Sequence, residues 1–181
     1  AAGTVKHYWF NVDASSGREF VADAEADEVP AVKAPAHLSR KDARRYVAGA
    51  EVFNRDAHCV TCHQPDGKGM ANLYPPLADS PWVVGDEERL IKLTLHGLWG
   101  KMEVNGSTYD PAKGIPPMTA FGAILSDNEI ADVLTYVRNS WGNQAAVVNA
   151  KTVKTVRNAN ADRSIFWKPE ELLEAHPLGD K

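Results

Sequence analysis

Cys59–Val60–Thr61–Cys62–His63 is the stretch on which the reading of this chain turns. Two thiols three residues apart, with a histidine directly after the second, have the spacing of a covalent haem attachment site. The two sulfurs can add to the vinyl groups on one edge of a porphyrin. The short turn between them then sets the His63 imidazole under the iron as its proximal ligand. Two other chemistries use paired cysteines. A thioredoxin-like redox pair has no use for the adjacent histidine, and it expects a strand leading in and a helix following. A zinc site needs a second Cys/His pair, and Cys59 and Cys62 are the only cysteines present. The motif therefore predicts one attached haem c, and what the haem does rests on its sixth ligand and surroundings.

The 181 residues are enough for one domain with a core plus extensions. A hydrophobic content of 44% and a charged content of 24% are those of an ordinary globular chain. No apolar run reaches the roughly 18 residues that would predict a membrane span. The formal charge of −4, made more negative by haem propionates, argues against nucleic acid as a partner. The chain opens Ala1–Ala2–Gly3 without a basic, apolar leader, as a mature exported protein or a trimmed chain would. Thioether attachment of haem implies an exported, periplasm-type location. With both cysteines committed to haem, none remains for a structural disulfide.

Residues 1–37 differ in character from the rest. His7 to Val12 holds the aromatic cluster Tyr8, Trp9 and Phe10, and Arg18 to Pro35 is rich in Ala, Asp and Glu with Pro30 and Pro35. This composition has little to bury and predicts a linker, either lying on the domain or docking on a partner through the aromatics. A helix is predicted from Ser39, with Asp42 three residues on and Ala43, Tyr46, Val47, Ala50 and Phe53 on one face. Gly49 lies on that face, where close approach of another helix best explains it. Residues 64–78 read as loop. A second helix opens at Gly85–Asp86–Glu87–Glu88 and stops at Gly97. Residues 98–117 read as another loop, with Asn105–Gly106 as a turn and Met102 in a flexible setting. Ser126–Asp127–Asn128–Glu129 is a capping box for a helix running through Trp141 to Gly142. Weaker helical stretches follow at Asn149–Arg157 and Pro169–Ala175, where Phe166, Trp167, Leu172 and Leu173 predict packing onto the domain.

A haem iron that keeps six ligands in both oxidation states reorganises little, and methionine opposite histidine raises its potential over a second histidine. Met70 lies only seven residues past His63, on the same short loop. Met118 follows Ile115–Pro116–Pro117, which stiffen a loop crossing the distal face. Its separation from His63 is enough chain to go round the ring and return. Met118 is the predicted ligand, with Met70 and Met102 as packing or surface residues. His96 reads as a helix-terminal surface residue or a propionate contact, and His58 as exposed. His7, His37 and His176 fall in the extensions without metal-site spacing.

The helix with Gly49 and Phe53, the Cys59–His63 motif, the Pro75–Pro76–Leu77 loop, Met118 and the helix with Tyr136 together resemble the class I cytochrome c family over about residues 39–142. The resemblance implies a mostly α fold, with three or more helices around a covalently attached haem, flanked by N- and C-terminal extensions. It divides the chain into an extension at 1–37, a cytochrome domain at 38–143 and a helical extension at 144–181. It implies that Gly49 and Phe53 cross Val133 and Tyr136. It also implies that the Pro75 carbonyl accepts from His63 and that Leu77 packs on the ring. Gln64–Pro65–Asp66–Gly67–Lys68–Gly69, Tyr74–Pro75–Pro76–Leu77, His96–Gly97 and Leu134 to Asn143 are similar to bacterial monohaem domains. Those domains serve periplasmic dehydrogenases and reductases as subunits or fused domains, and cytochrome subunits of membrane alcohol dehydrogenases carry similar signatures. Two features depart from the pattern. Asn54 to His58 lengthens the approach to Cys59, by a bulge or a longer helix, and Thr119 follows Met118 where proline is frequent. The implied function is one-electron transfer, not catalysis, between a redox protein (a dehydrogenase, reductase or oxidase) and its acceptor. The alternative is a haem enzyme or gas sensor with an open distal site.

Overall fold

The computed structural model describes residues 32–179. The expected linker up to residue 31, with its aromatic cluster at Tyr8, Trp9 and Phe10, lies outside the described residues. Helices α1 (Arg40–Phe53), α2 (Cys59–His63), α3 (Pro81–Val84), α4 (Glu87–His96), α5 (Asp127–Val137), α6 (Ala150–Ala159) and α7 (Pro169–Ala175) make up most of the regular structure. Strands β1 (Met102–Val104) and β2 (Ser107–Tyr109) form one antiparallel hairpin between α4 and α5. None of the described helices is long and apolar enough to cross a membrane.

The start of α1 follows from Ser39, whose hydroxyl accepts from the Asp42 amide, and α5 opens on a complete Ser126–Glu129 capping box. These two helices cross at Gly49. A Cβ there would run into the Asp132 carbonyl and lie 2.8 Å from Tyr136 Cβ, so glycine is what lets the backbones touch. The crossing is sealed by Phe53, which is fully buried with its ring centroid 5.2 Å from that of Tyr136. Burying such a ring stabilises the fold by about 2–3 kcal/mol.

Two expectations of local structure are corrected, and one left between two alternatives is resolved. Residues 102–109 are a hairpin, not loop, because Asn105 and Gly106 both take the positive φ of a two-residue turn that matches strand twist. Met102 is therefore held on β1. The helix expected to reach Trp141 ends at Val137. Side chains just beyond take over its last carbonyls: Asn139 Nδ2 donates to Thr135, Ser140 Oγ to Tyr136 and Asn143 Nδ2 to Val137. The approach to Cys59 is a bulge and not a longer helix. Helix α1 stops at Phe53, and Ala57 turns the chain with φ of 59°.

Two arginines without solvent exposure to speak of tie the elements together. Arg138 donates to the carbonyls of Val83, Gly85 and Ala146. Arg89 donates to those of Pro81, His176 and Pro177, fastening the end of α7 to the start of α4. Each guanidinium gathers carbonyls from separate segments, and that of Val83 is buried.

Candidate haem-binding site

Helix α2 presents Cys59, Cys62 and His63 on one wall of an apolar cleft of about 290 Å³, a size that suits a cofactor and not a few waters. Both thiols are free. Burial pushes the Cys59 thiol up to about 11, so it stays protonated at neutral pH. A working redox pair needs the reverse, a thiol whose pKa is lowered.

His63 is 9% exposed, and its Nδ1 lies 2.9 Å from the Pro75 carbonyl oxygen. A carbonyl only accepts, so Nδ1 carries the hydrogen. Burial holds the imidazole's pKa below its ordinary value, which leaves a neutral ring whose Nε2 lone pair is free. That is the state in which histidine ligates a metal. The loop from 64 to 78 is folded to deliver this acceptor. Gly69, at φ of 64°, sits so close to the Tyr74 and Pro75 carbonyls that no side chain would fit, and its amide donates to His63 O at 3.0 Å. Gly67 takes the amides of Leu77 and Ala78 on its own carbonyl. Over Gly67 lies the Trp141 ring, whose Nε1 donates to Pro65 O at 3.0 Å.

Met118 and Leu77 line the same cleft. Met118 pairs its backbone with Leu98 in both directions, N to O at 2.9 Å and O to N at 3.2 Å. The cleft thus brings together Cys59, Cys62, His63, Pro75, Leu77 and Met118. Met70 stands outside it, 44% exposed, whereas Met102 lines it from β1. His58 and His96 are placed differently from the expectation. His58 is half-buried on the cleft wall, with Nδ1 on Asp56 O and its ring 5.7 Å from Phe121. His96 is half-buried away from the cleft and meets Trp167 edge-on.

Several lining residues carried no mark in the sequence. Trp82 is pinned by its Nε1 donating to Glu103 O at 3.0 Å. Val104 and Tyr109 reach the cleft from the hairpin, and burial raises the Tyr109 phenol's pKa. Asn105–Gly106 was the signal that could have placed the hairpin; for Trp82 there was none. The residues fit a haem. Two thiols stand beside a neutral, oriented imidazole, apolar walls surround them, and a thioether side chain shares the cleft.

A family model for cytochrome c matches residues 46–141. Cytochrome c-552 of Thermus thermophilus is 36% identical over 140 residues, covering 74% of this chain and 98% of that protein. The cytochrome c subunit of a quinone-dependent alcohol dehydrogenase from Gluconobacter oxydans is 33% identical over 118 residues, or 63% of this chain and 23% of the subunit. The gluconate 2-dehydrogenase cytochrome c subunit of Pantoea cypripedii is 37% identical over 134 residues, or 71% and 25%. This chain thus corresponds to about a quarter of each of those two subunits.

Proposed function

The chain belongs to the cytochrome c family of electron carriers, and from that premise we propose that it holds a single haem c, bound through Cys59 and Cys62, with His63 and Met118 as axial ligands. The haem supplies a one-electron iron couple when bound. The protein's share is to fix the ligands, so that little moves as the charge changes. Pro75 orients His63, Leu77 packs beside the ring, and the Leu98 pairing holds the Met118 backbone. The electron-carrying domain is residues 38–143, with 1–37 and 144–181 as additions to it. Thioether chemistry places the protein in the periplasm. Its partners are a redox protein and that protein's acceptor, of the dehydrogenase, reductase or oxidase kind, since two relatives are named as dehydrogenase subunits.

The observation that carries this reading is the 2.9 Å contact from His63 Nδ1 to the Pro75 carbonyl, in a cleft that also contains Met118. The spectrum of the oxidised holoprotein tests it. Methionine-ligated ferric haem shows a weak far-red band, which disappears in Met118→Ala and survives in Met102→Ala. Loss in Met102→Ala alone moves the ligand to β1. A high-spin spectrum with rapid carbon monoxide binding by the unaltered protein replaces the carrier with an open-site enzyme or sensor.

A further inference from the structure

The segment that carries Met118 is gripped at both ends by residues from the C-terminal extension. On one side lies the strand-like stretch Gly97–Leu98–Trp99. One edge of it pairs with Met118, and the other pairs with Trp167 through Trp99 N to Trp167 O at 2.9 Å and Trp167 N to Gly97 O at 3.1 Å. Gly97 is wedged between these neighbours. A Cβ there would strike the Met118 carbonyl and lie 2.7 Å from the Phe166 ring. Trp167 is itself seated firmly, with the Arg163 guanidinium 3.4 Å above its ring centre.

On the other side the chain after Met118 is stitched to α4 by Phe121 N to Thr94 O and Gly122 N to Leu95 O, both at 2.9 Å. Arg157 of α6 closes this end. It donates to the carbonyls of Gly122 and Leu125 and pairs with Asp127 at 2.7 Å. One guanidinium thus spans the turn that leads from the Met118 loop into α5.

We propose that Trp167 and Arg157 are positioning residues for Met118, so that residues 144–179 set how readily the sixth ligand leaves the iron. The inference rests on the proposed ligation by Met118. Neither residue lines the cleft, and each acts through backbone that must move for the methionine to swing away. A local opening is held closed by the bonds it breaks. Removing the Arg157 anchor, at about the strength of a charge-assisted hydrogen bond, raises the open population about tenfold; removing the Trp167 ring keeps its main-chain bonds to Gly97 and Trp99 but takes away the stacking that seats them.

The test uses full-length holoprotein with Arg157→Ala, Arg157→Lys and Trp167→Ala. Arg45→Ala serves as a control, since it loses a bond to Val148 O and an ion pair with Asp132, neither of which touches the Met118 loop or the Arg157 and Trp167 contacts. Carbon monoxide binding to the reduced protein and the pH at which the far-red band fades are measured beside thermal unfolding. The expected result is binding faster by about tenfold in Arg157→Ala and by a smaller factor in Trp167→Ala, with the band lost at less extreme pH in both. Arg157→Lys, which keeps charge near Asp127 but cannot fork to two carbonyls, falls between parent and alanine. Arg45→Ala binds at the parental rate although its melting temperature drops. Parental rates in Arg157→Ala and Trp167→Ala overturn the proposal, as does equal acceleration by Arg45→Ala. If Trp167→Ala yields no holoprotein, the two Arg157 variants decide. A parent without the far-red band, or a band that survives Met118→Ala, defeats the ligation reading instead.

Discussion

Gly49→Ala separates two opposed effects at the helix crossing. By helix propensity alone the change stabilises α1 by roughly 1 kcal/mol. The structure reverses the sign. The new methyl group would collide with the Asp132 carbonyl oxygen and lie 2.5 Å from its carbon and 2.8 Å from Tyr136 Cβ. The first two obstacles are main chain in the middle of α5 and cannot rotate aside, so the helices must separate. Overpacking of this kind costs about 1–3 kcal/mol or more, and an unyielding obstacle belongs at or beyond the upper end. After the propensity gain, a net loss of about 2 kcal/mol remains. For a domain of this size that lowers the melting temperature by about 4–8 °C. Thermal unfolding of the holoprotein, followed by far-UV circular dichroism, reads it directly. An unchanged or higher melting temperature would refute the claim that Gly49 is set by the crossing.

Two further changes probe the frame around the site. Arg138→Leu leaves the carbonyls of Val83, Gly85 and Ala146 without their donor, so denaturant unfolding should show a loss above about 3 kcal/mol, with Arg138→Lys recovering under half of it. Glu129 has its pKa lowered to about 2 by the Ser126 amide and then by Arg55; its stabilisation is complete above about pH 4.5 and drains as pH falls toward 2. The carboxylate is a third exposed, so Glu129→Gln costs under about 1 kcal/mol at neutral pH, and the difference from wild type should close on acidification; parallel profiles would rule the pairing out.

The sequence made the helices legible wherever a local signal repeats. Ser39, Asp86 and Ser126 each accept the amide three residues on, and Gly97 takes the positive φ expected past a helix end. Short elements were harder. Strands of three residues leave no room for alternation, so the hairpin's trace was its Asn105–Gly106 turn. The end of α5 was misread because its apolar spacing continues to Trp141 while Asn139, Ser140 and Asn143 cap it earlier. At the site, Cys59, Cys62 and His63 are legible as a group because they fall within five residues. The contacts of Trp82 and Trp141 are not, since each acts across at least twenty residues of chain on another segment's backbone. The C-terminal anchors leave still less trace, because Trp167 reaches Gly97 and Trp99 through main-chain atoms that every residue type carries.

The choice of acceptor for His63 bears on the proposed redox role. A carboxylate on Nδ1–H would draw the proton and make the ring strongly basic, favouring the oxidised iron. The Pro75 carbonyl is a weaker acceptor and does not titrate, so it orients the ring without that push and keeps its basicity steady across pH. The backbone makes this acceptor hard to lose. Gly69 is packed on the Tyr74 and Pro75 carbonyls, and the loop closes on itself through Gly69 N to His63 O. Above Gly67, Trp141 covers the same turn and bonds Pro65. Moving Pro75 away from His63 therefore requires opening a turn closed by two glycines and a tryptophan. In an electron carrier this rigidity serves transfer, since an iron whose ligands stay fixed pays little reorganisation as its charge changes.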